Sequence, residues 1–212
     1  MCSHFHSVTD ASVFKSSFGI ALPLCEQLKN VLAGTKSLFI KKRPGSFSKN
    51  GDSPEKDVDL GFFGLSPQWS DRTSDHASYN TPYEAIHSSA VFSQAWSAGN
   101  RCIIPASAIF EPVLKSGQIK EVCISRVDGT PLGIAGIWWS ISLPDGKSVQ
   151  CFTMLTVDAE NYPLMQSLLM PNDAKRMPVI LDRDDYTNWL DGDVSEAAKF
   201  VRLYPATQLQ IT

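Results

Sequence analysis

RCIIPA at residues 101–106 begins a series of four strand-like runs that decides the fold. It is followed by KEVCISR at 120–126, PLGIAGIWW at 131–139 and VQCFTMLTV at 149–157. The stretches between the runs, KSGQ, VDGT and LPDGKS, have the glycine, aspartate and proline content of tight turns. The spacing is that of consecutive hairpins, and it predicts a sheet that is mostly antiparallel.

Weaker signals surround this series. KSLFIK at 36–41 predicts another strand, and residues 43–58 predict a long flexible loop because they are rich in proline, glycine, serine and charge. Apolar spacing between a proline and Gly99-Asn100 predicts a helix over residues 81–100. The strands and helices do not alternate as in a doubly wound sheet, so we expect one α+β domain, residues 1–212, with a β-rich core and peripheral helices.

Three shorter elements are predicted after the four runs. NYPLMQSLLM at 161–170 has the pattern of a short helix, and MPVIL at 177–181 that of a strand. The last, DRDDYTNWLDG at 182–192, predicts a helix that Asp182 caps and Gly192 ends.

Composition narrows the class of protein. The chain has 212 residues, 43% of them hydrophobic, and no apolar run near the roughly 20 residues that cross a bilayer. Its N-terminus lacks the order of a signal peptide, so we expect a cytoplasmic protein, associated with the nucleoid if it is bacterial. Five cysteines without CxxC spacing argue against a disulfide framework or a zinc site. The net charge of −3 gives no global basic field, so any contact with nucleic acid must be local.

The N-terminus, MCSHFHSV, carries a candidate nucleophile. A small second residue generally allows the initiator methionine to be removed, which would leave Cys2 with a free α-amine beside its thiol. Such a 1,2-aminothiol can capture an aldehyde, because the amine forms an imine and the sulfur then closes a thiazolidine ring. The alternative is an incidental cysteine in a frayed terminus.

Motifs along most of the chain, from Cys2 to about Leu190, resemble those of the SRAP family, the SOS response-associated peptidases. The resemblance rests on an initial Met-Cys and then, in order, on NTPYEA, RCIIPASAIFEP, GIAGIWW, FTMLTVDA and KRMPVIL. It implies a curved, barrel-like core and a protein that crosslinks to abasic sites in single-stranded DNA through a thiazolidine.

The resemblance assigns three catalytic positions. Cys2 matches the aminothiol, Asn80 the residue that positions it, and Glu111 the acid/base that assists ring opening and imine chemistry. The local alternatives are a helix N-cap for Asn80 and a solvent-exposed carboxylate for Glu111. Between apolar neighbours, Glu111 is expected to be partly buried, with a raised pKa. Arg101 also matches a basic position of the motif, without a clear role.

Several positions depart from the family pattern. Ser3 stands where a glycine is usual, Pro82 where an arginine is usual, and Pro112 where an aromatic residue is common. The histidine that usually precedes the RMPVIL strand is absent, and Pro171 or Ala174 takes its place. His4 and His6 alternate along the first strand and could lie on one face with Cys2 to lower its pKa. They could equally be exposed polar residues of a terminal strand.

Four residues are expected to contact DNA. Trp69 could stack on a base, and Arg72, Lys175 and Arg176 could contact phosphates. The leading hypothesis is therefore a monomeric DNA-damage-response protein that needs no metal or cofactor and traps abasic sites through Cys2. Its alternatives are a cysteine peptidase that trims its own N-terminus, and a non-catalytic descendant that binds single-stranded DNA or a protein.

Overall fold

A computed structural model of the chain describes residues 2–25, 28–46, 55–64, 79–115, 117–143, 145–166, 168 and 174–212. The strands are β1 His4–Ser7, β2 Asn30–Leu32, β3 Lys36–Lys42, β4 Lys56–Phe63, β5 Asn80–Pro82, β6 Arg101–Lys115, β7 Gln118–Arg126, β8 Leu132–Ser142, β9 Ser148–Asp158, β10 Arg176–Pro178, β11 Ile180–Leu181 and β12 Leu209–Ile211. The α-helices are α1 Ala11–Phe18, α2 Ala90–Ser97, α3 Pro163–Gln166, α4 Tyr186–Asp191 and α5 Val194–Ala198. Turns of 3-10 helix cover Tyr83–Ser88, Arg183–Asp185 and Ala206–Gln208.

Five strands close into a barrel. β6 pairs with β8, β8 with β9, β9 with β4, β4 with β3, and β3 again with β6. The β4–β9 pairing is parallel and the other four are antiparallel. The predicted α+β class, with a curved and mostly antiparallel core and peripheral helices, is therefore confirmed.

The long strand β6 belongs to two parts of the sheet. Its first half, Arg101 to Ala106, pairs with β8 inside the barrel. Its second half leaves the barrel and lies between β1 on one side and β7 on the other. β2 extends the sheet beyond β1, and β12 extends it beyond β7. The N-terminus of the chain is thereby held beside the far end of β6.

A β-bulge separates the two halves of β6. His6 pairs with Ala108 but Ser7 pairs with Ala106, so Ser107 is an extra residue on β6. The extra residue reverses which side chains point inward, because side chains alternate along a strand. Without the bulge, the inward face that holds Ala106 would continue to Phe110. With it, the inward face continues to Ile109 and Glu111.

Two apolar clusters cover the two faces of the barrel wall. Alternate residues of β6 face opposite sides of the wall: Cys102 and Ile104 join the inner cluster, whereas Ile103 joins the outer one. The outer cluster lies against α1, α2 and α4, to which it is joined through Phe14, Trp96 and Trp189 among others. All five cysteines are free thiols, as their spacing predicts.

The elements differ from the sequence predictions at several points. The predicted helix over 81–100 is a short strand, a 3-10 turn and then α2, and the predicted strand 177–181 is split between β10 and β11. β4 begins at Lys56, so the predicted loop 43–58 is shorter at its end, and residues 47–54 lie outside the described residues. Asp182 does precede a helical turn, but its carboxylate accepts a hydrogen bond from Tyr204 rather than capping that turn.

Candidate functional site

Cys2 lies immediately before β1, at the inner face of the sheet. Its side chain is 1% exposed and belongs to the inner apolar cluster. The thiol donates a hydrogen bond to the main-chain oxygen of His4, with the sulfur 3.3 Å from that oxygen. Burial and the nearby charge of Glu111 raise the pKa of the thiol far above its ordinary value, so Cys2 is a neutral thiol at pH 7 in this environment.

Asn80 begins β5, which runs parallel to β9 through the register Asn80–Met154. Its amide nitrogen Nδ2 donates a hydrogen bond to the carbonyl oxygen of Cys2 at 2.6 Å. The side chain is buried, and its Oδ1 has no hydrogen-bond partner within the described part of the chain. The N-cap alternative for Asn80 is wrong, because the 3-10 turn begins later, at Tyr83, and has no side-chain cap.

Glu111 lies on the same inward face as Ile109, in the half of β6 beyond the bulge. Its side chain is fully buried, which confirms the expectation drawn from its apolar neighbours and excludes the solvent-exposed alternative. Burial raises the pKa of its carboxyl to about 7. At neutral pH, protonated and ionised forms of this carboxyl therefore coexist.

Tyr79 is a member of this group that the sequence analysis missed. It precedes Asn80, its main-chain oxygen accepts a hydrogen bond from Met154 at 3.0 Å, and its ring lies 5.8 Å from that of Phe63. Burial, together with the charges of Cys2 and Glu111, raises the pKa of its phenol. No motif or spacing singled it out, because its place beside the site follows from the parallel pairing of β5 with β9.

His4 and His6 share one face of β1, as the alternation predicts, with ring centroids 5.5 Å apart. Both rings pack on Phe110, at 4.3 Å for His4 and 4.4 Å for His6. Phe110 and Glu111 are neighbours on β6 and so face opposite sides of the sheet. The imidazoles therefore lie on the face away from Glu111, and the Cys2 thiol contacts the main chain of His4 instead of its ring.

Arg101 lies at the opposite end of β6 from Glu111. Its guanidinium is buried beside the rings of Trp96 and Trp189 and donates to the main-chain oxygens of Trp189 and Gly192. Burial lowers its pKa, but a guanidinium stays charged in proteins. Arg101 thus joins the barrel to the α4 region, and it has no contact with Cys2.

The four predicted DNA contacts fall into two pairs. Trp69 and Arg72 lie outside the described residues, as does Pro171 in the segment where the family histidine would stand. Lys175 is partly exposed, with its Nζ 3.9 Å from a carboxylate oxygen of Glu160. Arg176 donates two hydrogen bonds to Glu84, at 2.6 and 2.8 Å, and one more to the hydroxyl of Thr156 at 3.0 Å.

The residues that the structure describes contain no group of histidine, cysteine and carboxylate side chains arranged to hold a metal ion. None of the helices within those residues is both long and apolar enough to cross a bilayer. What the inner site does offer is a thiol, an amide and a carboxyl whose pKa is near neutrality. This set suits reversible proton transfer next to a sulfur nucleophile.

Comparison with solved structures finds the same fold in bacterial proteins. A protein from Bordetella bronchiseptica is 30% identical, with a TM-score of 0.87, over 100% of this chain and 98% of its own. A protein from Bacteroides thetaiotaomicron is 19% identical, with a TM-score of 0.75 over 99% and 90% of the two chains. A phage-related protein from B. bronchiseptica is 18% identical, with a TM-score of 0.69 over 100% and 93%. The last two show the fold alone.

No curated protein matches the chain. The family model described as SOS response associated peptidase (SRAP), however, matches residues 1–212, which is the whole chain. The motifs quoted from the sequence and the barrel with its N-terminal cysteine agree with that match. The chain therefore belongs to the SRAP family, and with it to the proteins associated with the SOS response and DNA damage.

Proposed function

We propose that this chain binds single-stranded DNA and captures abasic sites covalently through Cys2, after removal of Met1. The observation that carries the proposal is the convergence of three distant segments on the inner site. Asn80 holds the carbonyl of Cys2 at 2.6 Å, and the buried carboxyl of Glu111 is close enough for its charge to raise the pKa of the Cys2 thiol. Membership of a DNA-damage-associated family supports the choice of substrate.

Removal of Met1 is the first chemical requirement. While Met1 is attached, the nitrogen of Cys2 belongs to a peptide bond and cannot attack a carbonyl carbon. Hydrolysis of that bond leaves an α-amine whose ordinary pKa is about 7.7–8.0, so part of it is unprotonated and nucleophilic at neutral pH. The neutral, buried thiol is the weaker nucleophile at this stage, so the amine is expected to attack first.

The capture then proceeds in balanced steps. The sugar of an abasic site opens from its hemiacetal form to an aldehyde, and the Cys2 amine adds to the aldehyde carbon. Loss of one water gives an imine. The Cys2 sulfur adds to the imine carbon to close a five-membered thiazolidine, and the thiol proton is replaced by a proton on the ring nitrogen. One water is released overall, and no oxidant or reductant is consumed.

Glu111 is the proton carrier of these steps. With a pKa of about 7 its carboxyl can protonate the sugar ring oxygen or the departing hydroxyl, and its carboxylate can then take the thiol proton. Asn80 acts as a positioning residue: its hydrogen bond to the Cys2 carbonyl fixes the main chain that carries both amine and thiol. The absent family histidine leaves Glu111 as the proposed acid/base of the site.

We assign the DNA contacts to Trp69, Arg72, Lys175 and Arg176. Lys175 retains a partly exposed ammonium with one long ion pair, which leaves it available to a phosphate. Arg176 is expected to contribute less, because its guanidinium is already bound to Glu84 and Thr156. With a net charge of −3 on the chain, such binding should be local and weakened by salt.

The test is a crosslinking assay with protein whose N-terminus is native and whose loss of Met1 is verified by intact mass. Single-stranded DNA with one abasic site is incubated with wild type, Cys2→Ser and Cys25→Ser, and the products are separated on a denaturing gel. Cys25 is an exposed free thiol, so its variant controls for nonspecific thiol chemistry. We expect a band shifted by the mass of the protein for wild type and Cys25→Ser, and none for Cys2→Ser.

Other results would favour the alternatives. DNA retardation on a native gel that is equal in wild type and Cys2→Ser, without any covalent product, would indicate a binding module. An N-terminus trimmed beyond Met1 in the absence of DNA, and intact in Cys2→Ser, would indicate an autoprocessing peptidase. Either result without a covalent DNA product would overturn the trapping proposal.

A further inference from the structure

A pocket outside the inner site lies at the start of β8, against the C-terminal turn of α1. Its volume is about 320 Å³, and its lining includes Ser17, Arg126, Thr130, Arg183 and Tyr186. Cys2, Asn80 and Glu111 do not line it. The pocket brings two guanidiniums and four hydroxyl groups, that of Ser16 included, to one small cavity, a combination rich in hydrogen-bond donors.

The positive charge of this pocket is incompletely neutralised. The side chain of Arg126 is 16% exposed, and its Nε lies 3.5 Å from Oδ1 of Asp128. That oxygen also accepts hydrogen bonds from the main-chain nitrogen of Thr130 at 2.9 Å and from its hydroxyl at 2.7 Å. That oxygen therefore has two hydrogen-bond donors, and Nε of Arg126, which is buried, has no hydrogen-bond partner among the described residues. Arg183 is exposed, and none of its contacts within the described residues is an ion pair.

A third cation adds to this charge. The ammonium of Lys56 donates to the main-chain oxygen of Phe18 at 3.2 Å, at the end of α1, and burial together with the charge of Arg183 lowers the pKa of Lys56. Two of the acidic residues that flank Arg183 in sequence have other partners, since Asp182 accepts a hydrogen bond from Tyr204 and Asp185 lies 3.6 Å from Arg202. Like charges thus gather where a bound anion would relieve their repulsion.

Tyr186 adds a hydroxyl donor to the pocket. Its side chain is 4% exposed and its ring stacks on that of Phe18, with centroids 5.8 Å apart. Its hydroxyl lies against Gly133, where a Cβ would come within 2.2 Å of the phenol oxygen. Tyr186 also borders the pocket, where its hydroxyl can donate a hydrogen bond to a bound anion.

We propose that this pocket is a phosphate-binding site in which Arg126 and Arg183 pair with the anion and Tyr186 and Ser17 donate hydroxyl hydrogen bonds to it. A guanidinium can donate two parallel hydrogen bonds to two oxygens of a phosphate, and neutral hydroxyls can donate to the remaining oxygens. A volume near 320 Å³ is at the lower end of ligand cavities, which fits a phosphate with a small substituent. The phosphate could be a free phosphomonoester or a phosphodiester of a nucleic-acid strand.

Isothermal titration of the full chain with three probes distinguishes these sources: inorganic phosphate, thymidine 5′-monophosphate, and the dinucleotide TpT, whose only phosphate is an internal diester. Binding of the first two but not of TpT identifies a phosphomonoester site. Binding of TpT as well identifies a backbone contact. Both outcomes support the site, and neither depends on Cys2 chemistry, so Cys2→Ser is expected to bind the probes like wild type.

Three variants test which residues hold the anion. Arg183→Gln is expected to weaken phosphate binding roughly tenfold, because it removes a charged donor, and Tyr186→Phe roughly threefold, because it removes only a hydroxyl. Lys147→Gln is the matched control, since it removes one positive charge from an exposed residue in the turn at the other end of β8. No saturable phosphate binding, or equal weakening by Lys147→Gln and Arg183→Gln, would overturn the proposal.

Discussion

The two halves of β6 each bury a charged side chain, and the surroundings of the two side chains differ. Arg101 is 3% exposed and Glu111 is 0% exposed, and both belong to the same strand. The guanidinium of Arg101 lies beside two indoles and donates to main-chain oxygens of the α4 region. The carboxyl of Glu111 lies beside a thiol, in surroundings that raise its pKa to about 7.

The difference shows when a buried charge indicates chemistry. Arg101 keeps its proton at any working pH, so its burial serves only to join two layers of the fold. Glu111 can gain or lose a proton at neutral pH, and it does so next to Cys2. A pKa shifted towards 7 beside a nucleophile distinguishes Glu111, in the candidate site, from Arg101, which has a structural role on the same strand.

The largest expected effect concerns Glu111. In Glu111→Gln the shape of the side chain is kept but the proton carrier is lost, so we expect the rate of crosslinking to fall by roughly 10²–10⁴-fold. The rate is measured from single-turnover time courses on denaturing gels, with abasic single-stranded DNA in excess over protein.

Glu121→Gln is the control for this change. Glu121 lies on the neighbouring strand β7, its side chain is 55% exposed, and it pairs with His4 on the face away from Glu111. The control removes the same charge and should leave the rate within about twofold of wild type. Equal rates for Glu111→Gln and wild type would remove Glu111 from the mechanism.

Arg101→Met is expected to give the largest change in stability. It leaves the main-chain oxygens of Trp189 and Gly192 without their charged donor, and we expect the free energy of unfolding to fall by about 3–5 kcal/mol. Urea denaturation followed by tryptophan fluorescence measures the change. The crosslinking rate of the folded fraction should stay close to that of wild type.

Arg43→Met controls for the loss of a cation that is not buried. Arg43 is about half exposed, and its ion pairs with Glu55 and Asp57 lie at the surface. Its replacement should leave the urea midpoint close to that of wild type, because surface ion pairs contribute little to stability. If the two arginine variants had equal stability, the structural account of Arg101 would be wrong.

Glu111 should also make stability depend on pH. Its pKa rises from an ordinary 4.5 in the unfolded chain to about 7 in the folded one, so the folded state binds more protons between these values. The contribution of Glu111 is full below pH 4.5 and is lost as pH rises through 7, by about 3 kcal/mol in total. Subtracting the urea-derived stability of Glu111→Gln from that of wild type across this range isolates the effect, and a flat difference would contradict it.

The sequence predicted the local parts of this arrangement well. Strands β6 to β9 follow one another through short turns, so alternation and turn chemistry suffice to predict them. Local rules alone favoured an incidental terminal cysteine for Cys2 and a solvent-exposed carboxylate for Glu111, and the resemblance to the SRAP family selected both. The motifs that resemble the SRAP family added Asn80, which local rules alone favoured as a helix cap.

The remaining features depend on contacts between distant parts of the chain. The β4–β9 pairing that closes the barrel joins residues 89 positions apart, and the β1–β6 pairing that brings Cys2 to Glu111 joins residues 99–106 positions apart. The bulge at Ser107 sets the inward face of Glu111, yet nothing in PASAIF at residues 105–110 distinguishes a bulge from a regular strand. Tyr79 was missed because its neighbours come from β4 and β9.

Asn80→Ala tests the positioning of the thiol, and its expected effects on rate and stability are intermediate. The variant loses the hydrogen bond to the Cys2 carbonyl, so we expect the crosslinking rate to fall roughly tenfold and stability by about 1 kcal/mol. Thr81→Val, in the same strand, removes the hydroxyl contact with Thr153 and serves as a control for disturbance of β5. If both variants slowed crosslinking equally, packing of β5 rather than the Asn80 amide would control the reaction.

The smallest expected effect contrasts Lys175 with Arg176. Like the two charged residues of β6, one of them is held by several hydrogen bonds and the other is not. Arg176 is bound by Glu84 and Thr156, whereas the ammonium of Lys175 has only a 3.9 Å ion pair. Lys175→Gln should weaken binding to single-stranded DNA about threefold and reduce the slope of log K against log salt by about 0.7, the value for one phosphate contact. Arg176→Gln should alter the slope less. Lys147→Gln removes the same positive charge from a residue that is distant in sequence, and it should leave the slope unchanged. Fluorescence anisotropy in increasing salt measures all three, and an unchanged slope for Lys175→Gln would remove Lys175 from the DNA interface.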